Sequence, residues 1–184
     1  KKMHVIHNGI NLEGYESKVN AVAPPVLGFF SRMCRDKGLD AVVDAFIALK
    51  KTNRIPNLKL RVGGGCGAND EPYVAGLREK LNAKALLGDV DFCPNLSRKE
   101  KQEFLRSLSV LSVPAQFGES FGFYIIEAMA SGVPVVQPHC ASFPELIKAT
   151  GGGITYEPVD RETLAATLEK FLNDLAQAHA LGKV

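Results

Sequence analysis

Apolar positions along the chain fall into two alternating patterns. Residues 26–31, VLGFFS, form a continuous apolar run of the kind that fills a parallel strand buried on both faces. Leu39, Val42, Val43, Phe46 and Leu49 then recur at three- and four-residue spacing, which predicts an amphipathic helix. LKLRV at 58–62 predicts a second strand, running into Gly63-Gly64-Gly65, with a helix over 71–82 and a short strand over 89–92 behind it. Ser97 with Glu100 three positions on is a capping box and opens another helix. SVLSVP at 109–114 and PVVQP at 134–138 predict two further strands, each leading into a helix, over 123–131 and 144–148. A strand over 153–156 and a helix over 161–173 close the pattern.

Strand and helix alternate about six times with short connections. That predicts the α/β class: a Rossmann-like doubly wound sheet of about six mainly parallel strands with helices on both faces. Ligands of such sheets sit at the carboxyl ends of the strands. The loops after Phe30, Val62, Phe92, Val113 and Val136 are therefore where chemistry is expected. The beginning of the chain reads differently. KKMHVIHNGI is a short extended piece ending in an Asn8-Gly9 turn, and residues 12–23 are polar and irregular up to Pro24-Pro25. Residues 1–23 are expected to be an interdomain linker and 24–184 a single domain.

Composition narrows the classes. Apolar residues make up 46% of the 184 and charged residues 23%, ordinary for a globular domain able to fold without a disulfide or metal staple. A net charge of +2, with no basic run longer than Lys50-Lys51, argues against a nucleic-acid partner. Cys34, Cys66, Cys93 and Cys140 are scattered without a CxxC pair, and the four histidines show no HxxxH spacing, so no metal site is expected. Reduced, mostly buried thiols are expected, hence a cytoplasmic location. No apolar stretch reaches membrane-spanning length, and no leader pattern is visible in a sequence that starts at Lys1.

Three loops carry candidate chemistry. After the first strand, Arg32, Arg35 and Lys37 fall within one strand-to-helix loop, which reads either as a solvated loop or as a phosphate site, since arginine and lysine both suit phosphate oxygens. After the fourth main strand comes Gln116-Phe117-Gly118-Glu119-Ser120-Phe121-Gly122-Phe123, then the helix with Glu127. Glycines and apolar residues before a helix start make an amide nest suited to phosphate. Two carboxylates would repel that phosphate and are better placed as acceptors for hydroxyls on either side of it. Such a loop fits a diphosphate flanked by polyols, as in a nucleotide sugar. After the second strand, Gly63, Gly65 and Ala68 match a GxGxxA dinucleotide pattern, with Asp89 or Asp91 as its ribose acid. That motif is weak and follows the wrong strand. His139 follows the fifth strand, where a lone histidine is more often structural.

At these residues the chain resembles the C-terminal, nucleotide-sugar-binding domain of the family 4 retaining glycosyltransferases of the GT-B fold. Arg32-x4-Lys37-Gly38 is similar to that family's GRxxxxKG segment, with Ser31 in place of the usual glycine. Glu119 to Pro134 resembles its E-x7-E signature and trailing EAMAxGxPV. Asn8-Gly9-Ile10, Phe143-Pro144-Glu145-Leu146 and residues 151–158 are similar to its NGVD, PE-V/I and G-G-xxxxP segments. Ala141 and Ser142 depart from the Gly-Gly frequent before the PE pair.

The resemblance implies a donor-binding domain that moves a hexose-type sugar from a nucleoside-diphosphate sugar without metal or cofactor. It implies that Arg32 and Lys37 bind the diphosphate and stabilise it as it leaves. It further implies that Glu127 takes the ribose hydroxyls, Glu119 those of the sugar, and the Phe121, Gly122 and Phe123 amides the phosphate and sugar. The base would lie against Phe92-Cys93-Pro94. An N-terminal acceptor domain of the parent chain is implied as partner and is absent from this sequence, so the piece should bind donor and catalyse little. Peripheral membrane contact through the parent is left open, as are a dinucleotide-dependent oxidoreductase and a non-catalytic nucleotide-sugar-binding domain.

Overall fold

A computed structural model describes residues 8–17, 23–115, 119–174 and 181. Strand β1 (Val26–Phe30) is buried along its first four residues, which explains an apolar run without alternation. Helix α1 (Leu39–Thr52) buries the five apolar positions that its spacing predicts. There follow β2 (Lys59–Gly64), α2 (Glu71–Asn82), β3 (Val90–Pro94) and α3 (Arg98–Arg106). The Ser97–Glu100 capping box opens α3 with both of its reciprocal hydrogen bonds present. The second half comprises β4 (Val110–Leu111), α4 (Phe123–Ala130), β5 (Val135–Pro138), α5 (Phe143–Thr150), β6 (Gly153–Tyr156) and α6 (Arg161–Asn173).

The sheet has six strands in the order β3-β2-β1-β4-β5-β6, and every pairing is parallel. Helices α1, α2 and α6 pack side by side on one face, while α3 and α4 meet on the other. Strand order reverses between β1 and β4, so the crevice for a ligand opens at their carboxyl ends. The core is continuous through both halves, from Leu27, Phe29, Phe46 and Leu60 to Ile125, Val136, Phe143 and Phe171.

One strand is shorter than its sequence predicts. The apolar run at 109–114 forms a ladder only at Val110–Leu111. Beyond it, the Val113 N–H donates to the side-chain Oε1 of Gln137 at 3.1 Å, and Pro114 has no N–H to give. The chain therefore leaves the sheet early and enters the crevice.

Residues 8–17 lie along α3, where the Glu13 carbonyl accepts from Arg98 and Gln102, and Glu16 pairs with Arg106. Residues 1–7 and 18–22 of the expected linker lie outside the described residues. All four cysteines are free but half-buried, a correction to the expectation of mostly buried thiols. No helix among the described residues is long and apolar enough to cross a membrane.

Candidate donor-binding cleft

Two loops meet across the crevice. The loop after β1 ends in a 3-10 turn (Arg35–Lys37) and then Gly38, whose φ of 74° is left-handed. A side chain at Gly38 would stand 2.1 Å from the carbonyl oxygen of Pro114, so only glycine lets the two loops approach this closely. Lys37 is thereby carried to the loop after β4, and its Nζ donates to Glu119 Oε2 at 2.6 Å. The same oxygen accepts from the Tyr124 hydroxyl at 3.2 Å. Burial and the charge of Glu119 push the Tyr124 phenol well above its ordinary pKa, so it stays a donor. Gln116, Phe117 and Gly118 of this loop lie outside the described residues.

Arg32 does not join that pair. Its guanidinium forks onto Asp70, with Nε 3.2 and 3.1 Å from the two carboxylate oxygens and Nη2 3.0 Å from Oδ1. The Arg32 hydrogen bond and the Gly67 N–H hold the Asp70 carboxyl below the usual carboxylate range.

Glu127 projects from α4 into a second polar cluster. Its Oε1 accepts from Lys101 Nζ of α3 at 2.5 Å and from the Tyr15 hydroxyl at 2.9 Å. Burial opposes the charge on Lys101, but the hydrogen bond and charge of Glu127 outweigh it and raise its pKa. The Tyr15 pKa rises through burial and through Glu127. Each glutamate of the E-x7-E pair is thus held by one lysine and one tyrosine converging on a single oxygen.

Phe121, Gly122 and Phe123 lead into α4. The Phe121 and Phe123 rings meet edge-on with centroids 5.1 Å apart, and Phe123 remains 48% exposed. Ser142, one of the departures in the sequence, fixes this turn from outside. Its hydroxyl lies 2.7 Å from the Glu119 carbonyl oxygen and 3.3 Å from that of Phe121. Ala141 beside it has a φ of 50°, a left-handed backbone where glycine would sit without penalty.

Phe92 and Pro94 line a cavity of about 250 Å³ at the end of β3, with Met33, Val74, Arg78 and Asn95. The Arg78 guanidinium lies 4.1 Å above the Phe92 ring. The Cys93 side chain is not part of this cavity, because strand alternation turns it toward Arg61, whose Nη2 lies 3.6 Å from its sulfur. The glycine loop after β2 is occupied by backbone contacts: Gly63, Gly64 and Gly65 carbonyls accept from the N–H groups of Ser31, Asn95 and Met33. His139 is exposed, and its Nδ1 pairs with the Thr155 hydroxyl at 2.9 Å.

The structure therefore brings together Lys37 and Glu119, with the Phe121–Phe123 turn beside them, and gives Arg32 and Glu127 separate partners. Asp70, Lys101 and Tyr15 belong to the cleft without any motif in the sequence to mark them, although Lys101 lies one position after the capping glutamate of α3. Tyr124 lies inside the E-x7-E segment and Ser142 is one of the departures in the sequence, but nothing there marks their contacts with Glu119.

Comparison with known proteins agrees with this architecture. The family described as Glycosyl transferases group 1 matches residues 15–183. A D-inositol 3-phosphate glycosyltransferase of Streptomyces avermitilis is 28% identical over 195 residues, covering 99% of this chain and 42% of its own length. Among solved structures, Anabaena HepE in complex with UDP and glucose aligns with a TM-score of 0.81 at 22% identity, covering 97% of this chain and 50% of that one. The isolated C-terminal domain of a glycosyl transferase group 1 family protein from Francisella tularensis aligns at 0.80 with 21% identity, covering 95% and 93%. These structural likenesses show the fold. The chain spans about two fifths of the length of its curated relative.

Proposed function

Because the chain belongs to the glycosyl transferases group 1 family, we propose that it is the donor-binding part of a retaining glycosyltransferase, one that transfers a hexose-type sugar from a nucleoside-diphosphate sugar. The acceptor is held by a domain outside this sequence, and these residues alone bind donor and catalyse little. The parent works on the cytoplasmic side, a placement favoured by four free thiols.

The observation that carries the reading is the contact of Lys37 with Glu119 across the switch point, which joins the cationic loop to the glutamate motif. In the reading, the diphosphate lies between Lys37 and Arg32 and over the amides that open α4. Departure of the sugar leaves negative charge on the diphosphate, and fixed cations with a helix N-terminus stabilise it without metal or cofactor. Glu127 takes the ribose hydroxyls and Glu119 those of the sugar. In both, the protein donors occupy one carboxylate oxygen, so the second is the acceptor for the ligand. The base enters the Phe92–Pro94 cavity, beside the stacked Arg78.

A thermal-shift panel of uridine, guanosine and adenosine diphosphates against NAD and FAD tests this. One of the nucleoside diphosphates should stabilise the domain by RT ln(1 + [L]/Kd), about 2.7 kcal/mol at a hundredfold excess over Kd. Stabilisation by NAD alone would replace the reading with a dinucleotide site.

A further inference from the structure

Asp70 belongs to none of the motifs, yet both of its carboxylate oxygens take the forked guanidinium of Arg32. It sits at the start of α2, with its side chain 8% exposed, and its Oδ2 accepts the Gly67 N–H at 3.1 Å. The carboxylate is thus fixed by its own loop before it meets Arg32. Arg32 is the opposite case, with a side chain 63% exposed on a loop. Free in solvent, such a long side chain samples many rotamers, and a ligand that uses it must order it. The fork onto Asp70 orders it beforehand. A guanidinium has five donors; Nε and Nη2 serve Asp70, which leaves the Nη1 protons and the second Nη2 proton for an anion.

We infer that Asp70 is a positioning residue that presents Arg32 to the donor diphosphate. The inference rests on the proposed reading of the cleft. Two effects of Asp70 oppose each other. Its negative charge repels a diphosphate, and its geometry prepares the cation that binds one. The repulsion acts across solvent and is screened by salt, whereas the forked hydrogen bonds onto a buried carboxylate are screened less. Orientation therefore wins, and removal of Asp70 weakens binding instead of tightening it.

A double-mutant cycle in the 184-residue chain tests this, using whichever of UDP, GDP or ADP stabilises the wild type. An isolated domain of the same family has been crystallised, so the piece is a fair unit to titrate. Asp70→Ala and Asp70→Asn should each weaken that diphosphate by about tenfold when Arg32 is present, and leave affinity nearly unchanged in an Arg32→Ala background. The loss should still be present at high salt. Asp70→Asn keeps an acceptor for the Gly67 N–H and serves if the alanine variant does not fold. Equal losses in both backgrounds would make Asp70 merely structural, and tighter binding would make it a repelling charge; either overturns the inference. Full affinity in Arg32→Ala alone, or no diphosphate binding at all, would overturn the donor-site reading as well.

Discussion

In the proposed reading, the ribose end and the sugar end of the cleft are built from the same side chains on different supports. At the ribose end, Glu127 rises from inside α4 and is met by Lys101 from α3 and Tyr15 from the N-terminal segment. All three are anchored away from the loops that border the crevice. At the sugar end, Glu119 and Lys37 both stand on loops, and only Tyr124 comes from a helix. The side chains of Glu127 and Glu119 are similarly buried, at 15% and 17% exposed, so solvent does not distinguish them. What distinguishes them is which partner can leave. Lys101 has no other role in the cleft and can stay on Glu127 when a ribose arrives. In the proposed reading Lys37 is also the cation for the diphosphate, so a donor would have to share it with, or take it from, Glu119. On that reading the sugar end is the part expected to rearrange, and the ribose end the part expected to stay.

Substitutions can break that contrast. Glu127→Ala should have the largest effect, because it removes the proposed ribose acceptor and strands a largely buried ammonium. Affinity for nucleoside diphosphate and nucleotide sugar should both fall by about 1–3 kcal/mol, and stability by about 2 kcal/mol. Chemical denaturation with titration of both ligands measures it; an unchanged stability would mean that Lys101 finds another partner. Lys37→Ala should weaken the diphosphate by about 1.5–3 kcal/mol and cost the fold little, since its ion pair joins two loops. Unfolding of that variant with affinity intact would assign Lys37 to structure. Tyr15→Phe is the mildest change. It removes one of two donors to Glu127 and should cost about 1 kcal/mol of stability, with a loss of ligand affinity no larger than that. A greater loss than in Glu127→Ala would place Tyr15 on the ligand itself.

How far the sequence revealed this differs between fold and site. The bounds of α2, β6 and α6 match the pattern of the sequence; Pro72 stands in the first turn of α2, and the Asp160 side chain opens α6 by accepting from the Thr163 N–H. The apolar run at 109–114 predicts a longer strand than β4, because apolar content does not show that the Val113 N–H goes to Gln137 instead of a strand. Within the site, Lys37 and Glu119 were legible as motif residues, but their contact depends on the close approach at Gly38, which no local pattern reports. Tyr15 and Glu127 are 112 residues apart, and Arg32 and Asp70 are 38 apart. Such pairings are products of the strand order and are invisible to spacing. The resemblance puts Cys93 with Phe92 and Pro94 against the base, but alternation along β3 turns it to the other face.

The most direct test of the division between the two ends is calorimetric titration of Glu119→Ala with two ligands, a nucleoside diphosphate and the corresponding nucleotide sugar. If Glu119 holds sugar hydroxyls, the nucleotide sugar should lose about 1–3 kcal/mol. The bare diphosphate should bind at least as tightly as to the wild type, because Lys37 is released from its ion pair. Equal losses for both ligands would contradict the account: Glu119 would then serve the diphosphate end, and the separation of sugar from ribose between the two carboxylates would be wrong.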